Sequence, residues 1–358
     1  MPLLRRLVRP VLPTEVLEFW ASKLDPAWSV DRARARVVSR HVEAADAVTL
    51  VLQPNRHWQG FAPGQHVNLG IEVNGARLTR SYSLTDVPRP DGRISVTVRA
   101  IDGGRVSRHL FADAKVGDVF DLGAAFGRMV LPQVHDAPLL FLAAGSGITP
   151  LMSMTRALAA TGMPTPLTLL YWARHRDEFC FSDELRALAA QHPALDVRFV
   201  LTGDAASTLD ESTGRLGDVH LDAGVPDLPD RRVFACGPSG FVDHARGLLA
   251  ARARSFQAEA FSPPARIDNA DGAGTVQLVL TRSQRTLEVA KGQSLLLALE
   301  AAGLKPLSGC RMGICNTCAC GKATGSTRHL HTGDVEHEPA TALKLCVNSA
   351  TSNLVLDL

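Results

Sequence analysis

The last 49 residues of this 358-residue chain carry five of its seven cysteines, and their spacing limits the possible folds more than any other feature. Cys310, Cys315 and Cys318 form a C-x4-C-x2-C run, and Cys346 follows after 27 further residues. Thiolates so placed converge from one tight loop, with the fourth arriving from a distant segment. That is the ligand pattern of a [2Fe–2S] cluster. Gly309 and Gly313 lie in the same loop. Without a Cβ they let backbone N–H groups approach the sulfurs, and such hydrogen bonds tune a potential that is typically about −400 mV for this cluster class.

The competing reading is structural zinc, which usually takes two paired C-x2-C or C-x2-C/H-x3-H units; here there is one C-x2-C. Cys320, two residues beyond Cys318, is read as a non-ligand because four thiolates already complete the set. Seven cysteines are too few for a disulfide scaffold at this length. Two apolar strands, at 275–282 and 284–290, and a helix from Ser294 to Ala302 precede the loop. With this motif, residues 275–358 resemble a plant-type ferredoxin, which implies an α+β (β-grasp) fold. Photosynthetic ferredoxins are strongly acidic, whereas this span has 8 Lys+Arg against 6 Asp+Glu. Its partner contact is therefore expected to depend less on charge.

The rest of the chain has ordinary globular composition, 46% hydrophobic and 21% charged, which excludes wholesale disorder. A net charge of +2 removes the electrostatic reason to expect nucleic acid as a partner. Residues 1–13 contain three arginines but neither a long apolar core nor a small-residue cleavage site, a poor match to an export signal. Clustered thiols then suggest a reducing, cytoplasmic setting. Residues 1–32 read as a helical extension, with Thr14 capping a helix to about Leu24 and Val16, Leu17, Phe19 and Trp20 on or near one face. The first reading packs that face on the main body. The second places Trp20, Trp28 and the arginines against the inner face of a membrane.

Between residues 33 and 135, short β-branched or apolar runs (37–40, 48–53, 66–73 and 94–100) are separated by Pro63-Gly64, Asn74-Gly75 and Asp91-Gly92. This spacing predicts an antiparallel barrel. From 136 to 261 strands alternate with helices, the signature of a parallel sheet with right-handed crossovers. The uncharged stretch from Ala137 to Thr155 is broken by Gly145, Ser146, Gly147, Thr149 and Pro150. It reads as a buried strand, a turn and a helix rather than a membrane span. Residues 262–274 carry no periodicity and read as a linker.

Arg80-Ser81-Tyr82-Ser83 lies on or beside a barrel strand. It offers an aromatic plate for a flavin ring, a cation for its phosphate and a hydroxyl donor. Val98-Arg99 and Gly103-Gly104-Arg105-Val106-Ser107 follow, where adjacent glycines bring N–H groups to phosphate and Ser107 adds a hydroxyl. Together with Pro63-Gly64-Gln65 these elements resemble the ferredoxin reductase-like flavoproteins. The resemblance implies FAD, with Arg80, Tyr82 and Ser83 at the flavin, Gly104 and Ser107 at the pyrophosphate, and Val98, Arg99 and Val106 beside them. That family's G-P-x-G-x-F element appears here as Gly123-Ala124-Ala125-Phe126-Gly127, without the proline.

Gly145-Ser146-Gly147-Ile148-Thr149-Pro150 sits between a strand and a helix, the context of a phosphate loop. Thr149 is expected to cap the helix and Pro150 to open it. The reductase family has G-x-G-I/V-T-P here and C-G-P later, matched by Cys236-Gly237-Pro238. By this resemblance Gly145, Gly147, Thr149, Pro150, Cys236, Gly237 and Pro238 bind the nicotinamide nucleotide. Thr149 and Cys236 join Tyr82 and Ser83 at the reacting groups. Arg174, His175 and Arg176 would meet a ribose 2′-phosphate, which leans the reading toward NADPH. Glu259 and Phe261 would lie near the flavin.

The resemblance spans about residues 33–358. It implies an electron-transfer enzyme using NAD(P)H, FAD and a [2Fe–2S] cluster. Its acceptor would be a separate terminal oxygenase, first a membrane fatty-acyl desaturase or hydroxylase, alternatively a soluble ring-hydroxylating oxygenase.

Overall fold

The structure, a computed structural model, describes residues 14–222, 225–262 and 274–358. Residues 1–13 and nearly all of the expected linker lie outside them. The chain gathers into two compact units. One holds the chain up to residue 131 together with 152–161 and 177–181; the other holds the remainder.

In the first unit, helix α1 (Thr14–Leu24) precedes β1 (Arg34–Ala44), β2 (Ala47–Pro54), β3 (His66–Val73), β4 (Ala76–Ser83), β5 (Ile94–Arg99), α2 (Arg105–Ala112) and β6 (Val119–Leu122). The antiparallel sheet runs β4-β3-β6-β1-β2-β5. A bridge between Leu84 and Val96 joins the chain after β4 to β5, so the two edge strands meet and the expected barrel closes. Alternation fills its interior with Val37, Leu50, Leu52, Val67, Leu69 and Val96. Each such buried side chain contributes about 1.5–3 kcal/mol relative to exposure.

Helix α1 departs from its expected packing. Its carboxylate Glu18, not its apolar stripe, attaches it to the barrel unit. Glu18 accepts from Ser29 Oγ (2.7 Å), the Val30 N–H (2.8 Å) and Arg32 Nη2 (2.9 Å). Val16, Phe19, Trp20 and Leu24 are exposed. Trp28 is half-buried with the Arg56 guanidinium 5.5 Å from its ring, and so is not part of that face. The side chains of Thr14 and Leu17 lie outside the described residues.

The second unit holds β7 (Leu139–Ala144), β8 (Leu167–Ala173), α4 (Ser182–Gln191), β9 (Leu195–Leu201), β10 (Glu211–Thr213), α5 (Asp218–Asp222), β11 (Arg232–Gly237), α6 (Ser239–Leu249) and β12 (Ser255–Ala260). Helix α3 (Ile148–Ala160) begins in this unit and ends in the first. Its later residues reach the chain after β4, where Ser153 Oγ donates to the Asp86 carbonyl and Arg156 Nη1 to that of Thr85, both at 2.6 Å. The sheet order is β10-β9-β8-β7-β11-β12, every neighbour parallel. Both faces of β7 and β8 are covered, hence their unbroken apolar runs. Strand order reverses at β7 and β11, and that switch point is where ligands of open parallel sheets bind.

The ferredoxin-like part contains β13 (Thr275–Leu280), β14 (Arg285–Ala290), α7 (Leu295–Ala301), β15 (Ala319–Thr324), β16 (Thr327–His329), β17 (Val335–Glu336), β18 (Ala340–Lys344), β19 (Asn348–Ala350) and β20 (Leu354–Leu356). Its main sheet, β14-β13-β20-β15-β18, pairs β13 with β20 in parallel and the other neighbours antiparallel. Ser294 caps α7 by accepting from the Leu297 N–H at 3.2 Å. This is the expected β-grasp arrangement. Among the described residues no helix is long and apolar enough to cross a membrane.

Candidate functional site

On β4, Arg80 opposes Leu69, Tyr82 opposes Val67 and Ser83 opposes His66. Strand alternation puts Arg80 and Tyr82 on one face and Ser83, which is buried, on the other. Tyr82 packs against the barrel core, and burial pushes its hydroxyl up, so it stays a protonated donor. Arg80 Nη1 donates to the Thr79 carbonyl at 2.7 Å. Upstream, Gly64 has φ +98° and a Cβ there would lie 2.3 Å from the Met129 carbonyl oxygen, so the Pro63-Gly64 turn requires glycine.

Gly104 occupies the N-cap of α2 with extended dihedrals, leaving N–H groups at the helix start without an intrahelical partner. Ser107 Oγ accepts from the Ile101 N–H at 3.2 Å, which folds the glycine turn back on the helix. Three expected contacts are placed differently. The Val98 and Val106 side chains belong to the barrel core, so they can offer a cofactor only backbone. Arg99 is held by Asp46 (2.6 Å) and Glu178 (2.8 Å), which already balance its charge. The loop lacking the family's proline is still pinned: Phe126 and His66 exchange backbone hydrogen bonds of 3.0 and 2.8 Å, and their rings stack at 5.8 Å. His66 was not singled out from the sequence; a histidine at the head of an apolar run was the available signal.

The nucleotide residues gather at the ends of β7 and β11. Gly145–Gly147 form a 3-10 turn, and α3 starts at Ile148. A Cβ on Gly147 would stand 2.0 Å from the Cys236 carbonyl oxygen, so only glycine brings this turn against β11. Thr149 is not the helix cap. It is the second residue of α3, and its hydroxyl donates to the Ser146 carbonyl at 2.9 Å. Pro150 is correspondingly third, still in the first turn, where its missing N–H costs nothing. Cys236 pairs with Ala143 on one side and Glu259 on the other. It is fully buried, and burial, then the nearby Glu259 charge, push its thiol up. It is therefore a neutral packing atom rather than a nucleophile. Pro238 takes the N-cap of α6, and the Phe261 N–H donates to the Gly237 carbonyl at 2.8 Å.

After β8, the Arg174 carbonyl accepts from the Gly203 N–H at 2.8 Å and His175 Nδ1 meets Asp204 at 2.9 Å. Arg176 grips Glu211 with Nε and Nη2, each at 2.8 Å. Glu211, in the three-residue strand β10, was not anticipated, because so short a strand carries no readable period.

In the cysteine loop the thiols form two pairs. Cys310 lies beside Cys315 and Cys346 beside Cys318. Two pairs of thiols suit two irons, one pair each. Backbone N–H groups aim at the sulfurs: those of Met312, Ile314 and Cys315 reach Cys310 Sγ at 3.3, 3.4 and 3.3 Å, and that of Gly313 reaches Cys346 Sγ at 3.2 Å. Gly313 has φ +75°, and a Cβ on Gly309 would lie 2.7 Å from Cys315 Sγ. The residues present thus fit the cluster. Cys320 lies on β15 opposite Leu343, and burial pushes its thiol up to about 12.

Comparison with known proteins finds three domains in the same order. Residues 34–130 match the oxidoreductase FAD-binding domain, 141–247 the oxidoreductase NAD-binding domain and 278–347 the 2Fe-2S iron-sulfur cluster binding domain. An NADPH oxidoreductase of Mycobacterium tuberculosis is 35% identical over 99% of this chain and 90% of its own length. The chain belongs to this family of FAD- and NAD-binding oxidoreductases with a fused 2Fe-2S domain. Its cofactors are FAD, NAD(P)H and a [2Fe–2S] cluster, and it is an electron-transfer oxidoreductase. The ferredoxin reductase component of a 3-ketosteroid-9-alpha-monooxygenase, also from M. tuberculosis, is 35% identical over 73% of this chain and 74% of its own. The solved structure of phthalate dioxygenase reductase covers 91% of this chain and 97% of its own, with 25% identity and a TM-score of 0.61.

Proposed function

We propose that this family member takes electrons from NAD(P)H and delivers them singly to a separate terminal oxygenase. One observation carries the reading: a single chain holds the cysteine set in two facing pairs, the glycine turn at the switch point of a parallel sheet, and the Arg80–Ser83 strand of a flavin-type barrel. When bound, the flavin exchanges two electrons with a nicotinamide and one at a time with an iron–sulfur centre. The chain supplies placement. The Gly145–Gly147 turn opens the sheet end to a pyrophosphate, the Gly104 turn of α2 does so for the second dinucleotide, and the loop N–H groups stabilise charge on the cluster sulfurs. Covalent linkage raises the effective concentration of the ferredoxin part at its electron donor.

The acceptor reading stays with a membrane fatty-acyl desaturase or hydroxylase, and the exposed apolar stripe of α1 supports it. A soluble oxygenase is the second reading, favoured by relatives that serve a ketosteroid monooxygenase and a phthalate dioxygenase.

Cys315→Ser tests the route. The variant should lose the visible and EPR signals of the cluster and its NAD(P)H-driven reduction of cytochrome c, while flavin-dependent reduction of ferricyanide persists. Wild-type cytochrome c reduction without the cluster would refute electron exit through the ferredoxin part.

A further inference from the structure

The cluster ligands come from two segments of chain, and one side chain fastens the segments together. Lys344 ends β18, opposite Ala319 at the start of β15, and is the N-cap of the 3-10 turn Leu345–Val347 that carries Cys346. Asn348 Nδ2 donates to the Lys344 carbonyl at 2.9 Å, which fixes the backbone at that turn. The half-buried Lys344 side chain reaches across to the other segment, where Nζ donates to the Gly313 carbonyl at 2.6 Å. That carbonyl belongs to the Gly313–Ile314 peptide. In a trans peptide the N–H points the opposite way, and here the Ile314 N–H reaches Cys310 Sγ at 3.4 Å. On the preceding peptide the Gly313 N–H reaches Cys346 Sγ at 3.2 Å. Lys344 thus heads a chain of hydrogen bonds, ammonium to carbonyl and then amide to sulfur.

Arg311, in the same loop, differs. Its guanidinium is paired with the Glu300 carboxylate through hydrogen bonds of 2.9 and 2.6 Å, so its charge is balanced. Lys344 donates to a carbonyl, which orients the ammonium without neutralising it.

We propose that Lys344 is a positioning residue for the [2Fe–2S] cluster, which holds the Gly313–Ile314 amide toward Cys310 and raises the reduction potential. Two effects act in one direction. A carbonyl bound to a cation polarises its own peptide, so the Ile314 N–H becomes a stronger donor to sulfur. The ammonium also favours the cluster form that carries the extra electron, and half-burial leaves its field only partly screened. This role rests on the electron-transfer reading for the presence of the cluster, and not on which acceptor is served.

Reductive titration of the intact protein, followed by the EPR signal of the reduced cluster, measures the potential. Lys344→Met should keep two irons per chain. Its equilibrium constant for one-electron reduction should fall about tenfold, the worth of one charge-assisted hydrogen bond, which lowers the potential by about 59 mV. Lys344→Arg keeps the charge and a donor, and should titrate with the wild type. A side chain that served folding alone would leave the potential of an intact cluster unmoved. Should Lys344→Met shed its irons, Lys344→Gln takes its place with the same expectation. The proposal is overturned if the neutral variant titrates with the wild type, if Lys344→Arg falls as far as the neutral variant, or if every variant loses its irons. Absence of iron from the wild-type protein would instead refute the electron-transfer reading itself.

Discussion

Arg176 and Glu211 are locked by two hydrogen bonds of 2.8 Å, with the carboxylate buried and the guanidinium partly open to solvent. The pair crosses from the turn after β8 to strand β10 and uses the charge that the sequence offered to a 2′-phosphate. A guanidinium already satisfied by a carboxylate is a weaker counter-charge for phosphate. Glu211→Gln should free Arg176 and raise the ratio of kcat/KM for NADPH over NADH by about tenfold, the worth of one charge-assisted hydrogen bond. Steady-state ferricyanide reduction with each nucleotide measures the ratio. An unchanged ratio would place Arg176 away from the ribose.

The same pair sets an acid limit. Hydrogen bonds from Arg176, against the opposing effect of burial, bring the Glu211 carboxyl from about 4.5 down to about 2. A carboxyl depressed in the folded state contributes stability above its unfolded pKa and loses it as pH falls through the folded one. Stability should therefore be steady above pH 4.5 and decline between there and pH 2. The Glu211→Gln variant should show a shallower decline in urea midpoint over that window. Parallel slopes for the two proteins would deny the pair this role.

Much of this was legible because strand and helix periods are local. The run Leu139–Ala144 could only be a buried strand, and 310, 315, 318 and 346 announce their chemistry by spacing alone. Partnership was not legible. Nothing near Arg176 in sequence points to Glu211, 35 residues on, and nothing near Arg99 points to Glu178. The four-residue β6 and the eight-residue α2 fall below the length at which a period can be read. For α1 the stripe was visible, but a stripe states only that a face is apolar, not what covers it. The hydrogen bonds of a half-buried Glu18 reversed the expected orientation.

Gly147 shows how tightly the nucleotide turn is set. Any Cβ there would overlap the Cys236 carbonyl at 2.0 Å, a backbone atom that cannot rotate aside. Gly147→Ala should force β7 and β11 apart at the switch point and destabilise the fold by about 3 kcal/mol or more. At temperatures where the variant is still folded, KM for NAD(P)H should rise at least about tenfold, a binding loss near 1.4 kcal/mol. Gly240→Ala, where a Cβ meets nothing within 4 Å, is the control and should leave both quantities unchanged. Equal behaviour of the two variants would mean that the turn tolerates displacement.

Cys320 and Cys346 make opposite predictions from neighbouring places in one core. Both are buried, but Cys346 lies beside Cys318 and receives the Gly313 N–H, whereas Cys320 sits on β15 opposite Leu343. Cys320→Ala removes one sulfur from an apolar setting and should cost about 1 kcal/mol of stability, with the full visible spectrum and two irons per chain retained. Cys346→Ala deprives the second pair of a ligand and should leave the protein without a stable cluster, its ferricyanide activity intact. Iron and sulfide analysis of the two purified variants decides between them. Loss of iron from Cys320→Ala with retention in Cys346→Ala would reassign the fourth ligand and require the start of β15, rather than the turn before β19, to close the site.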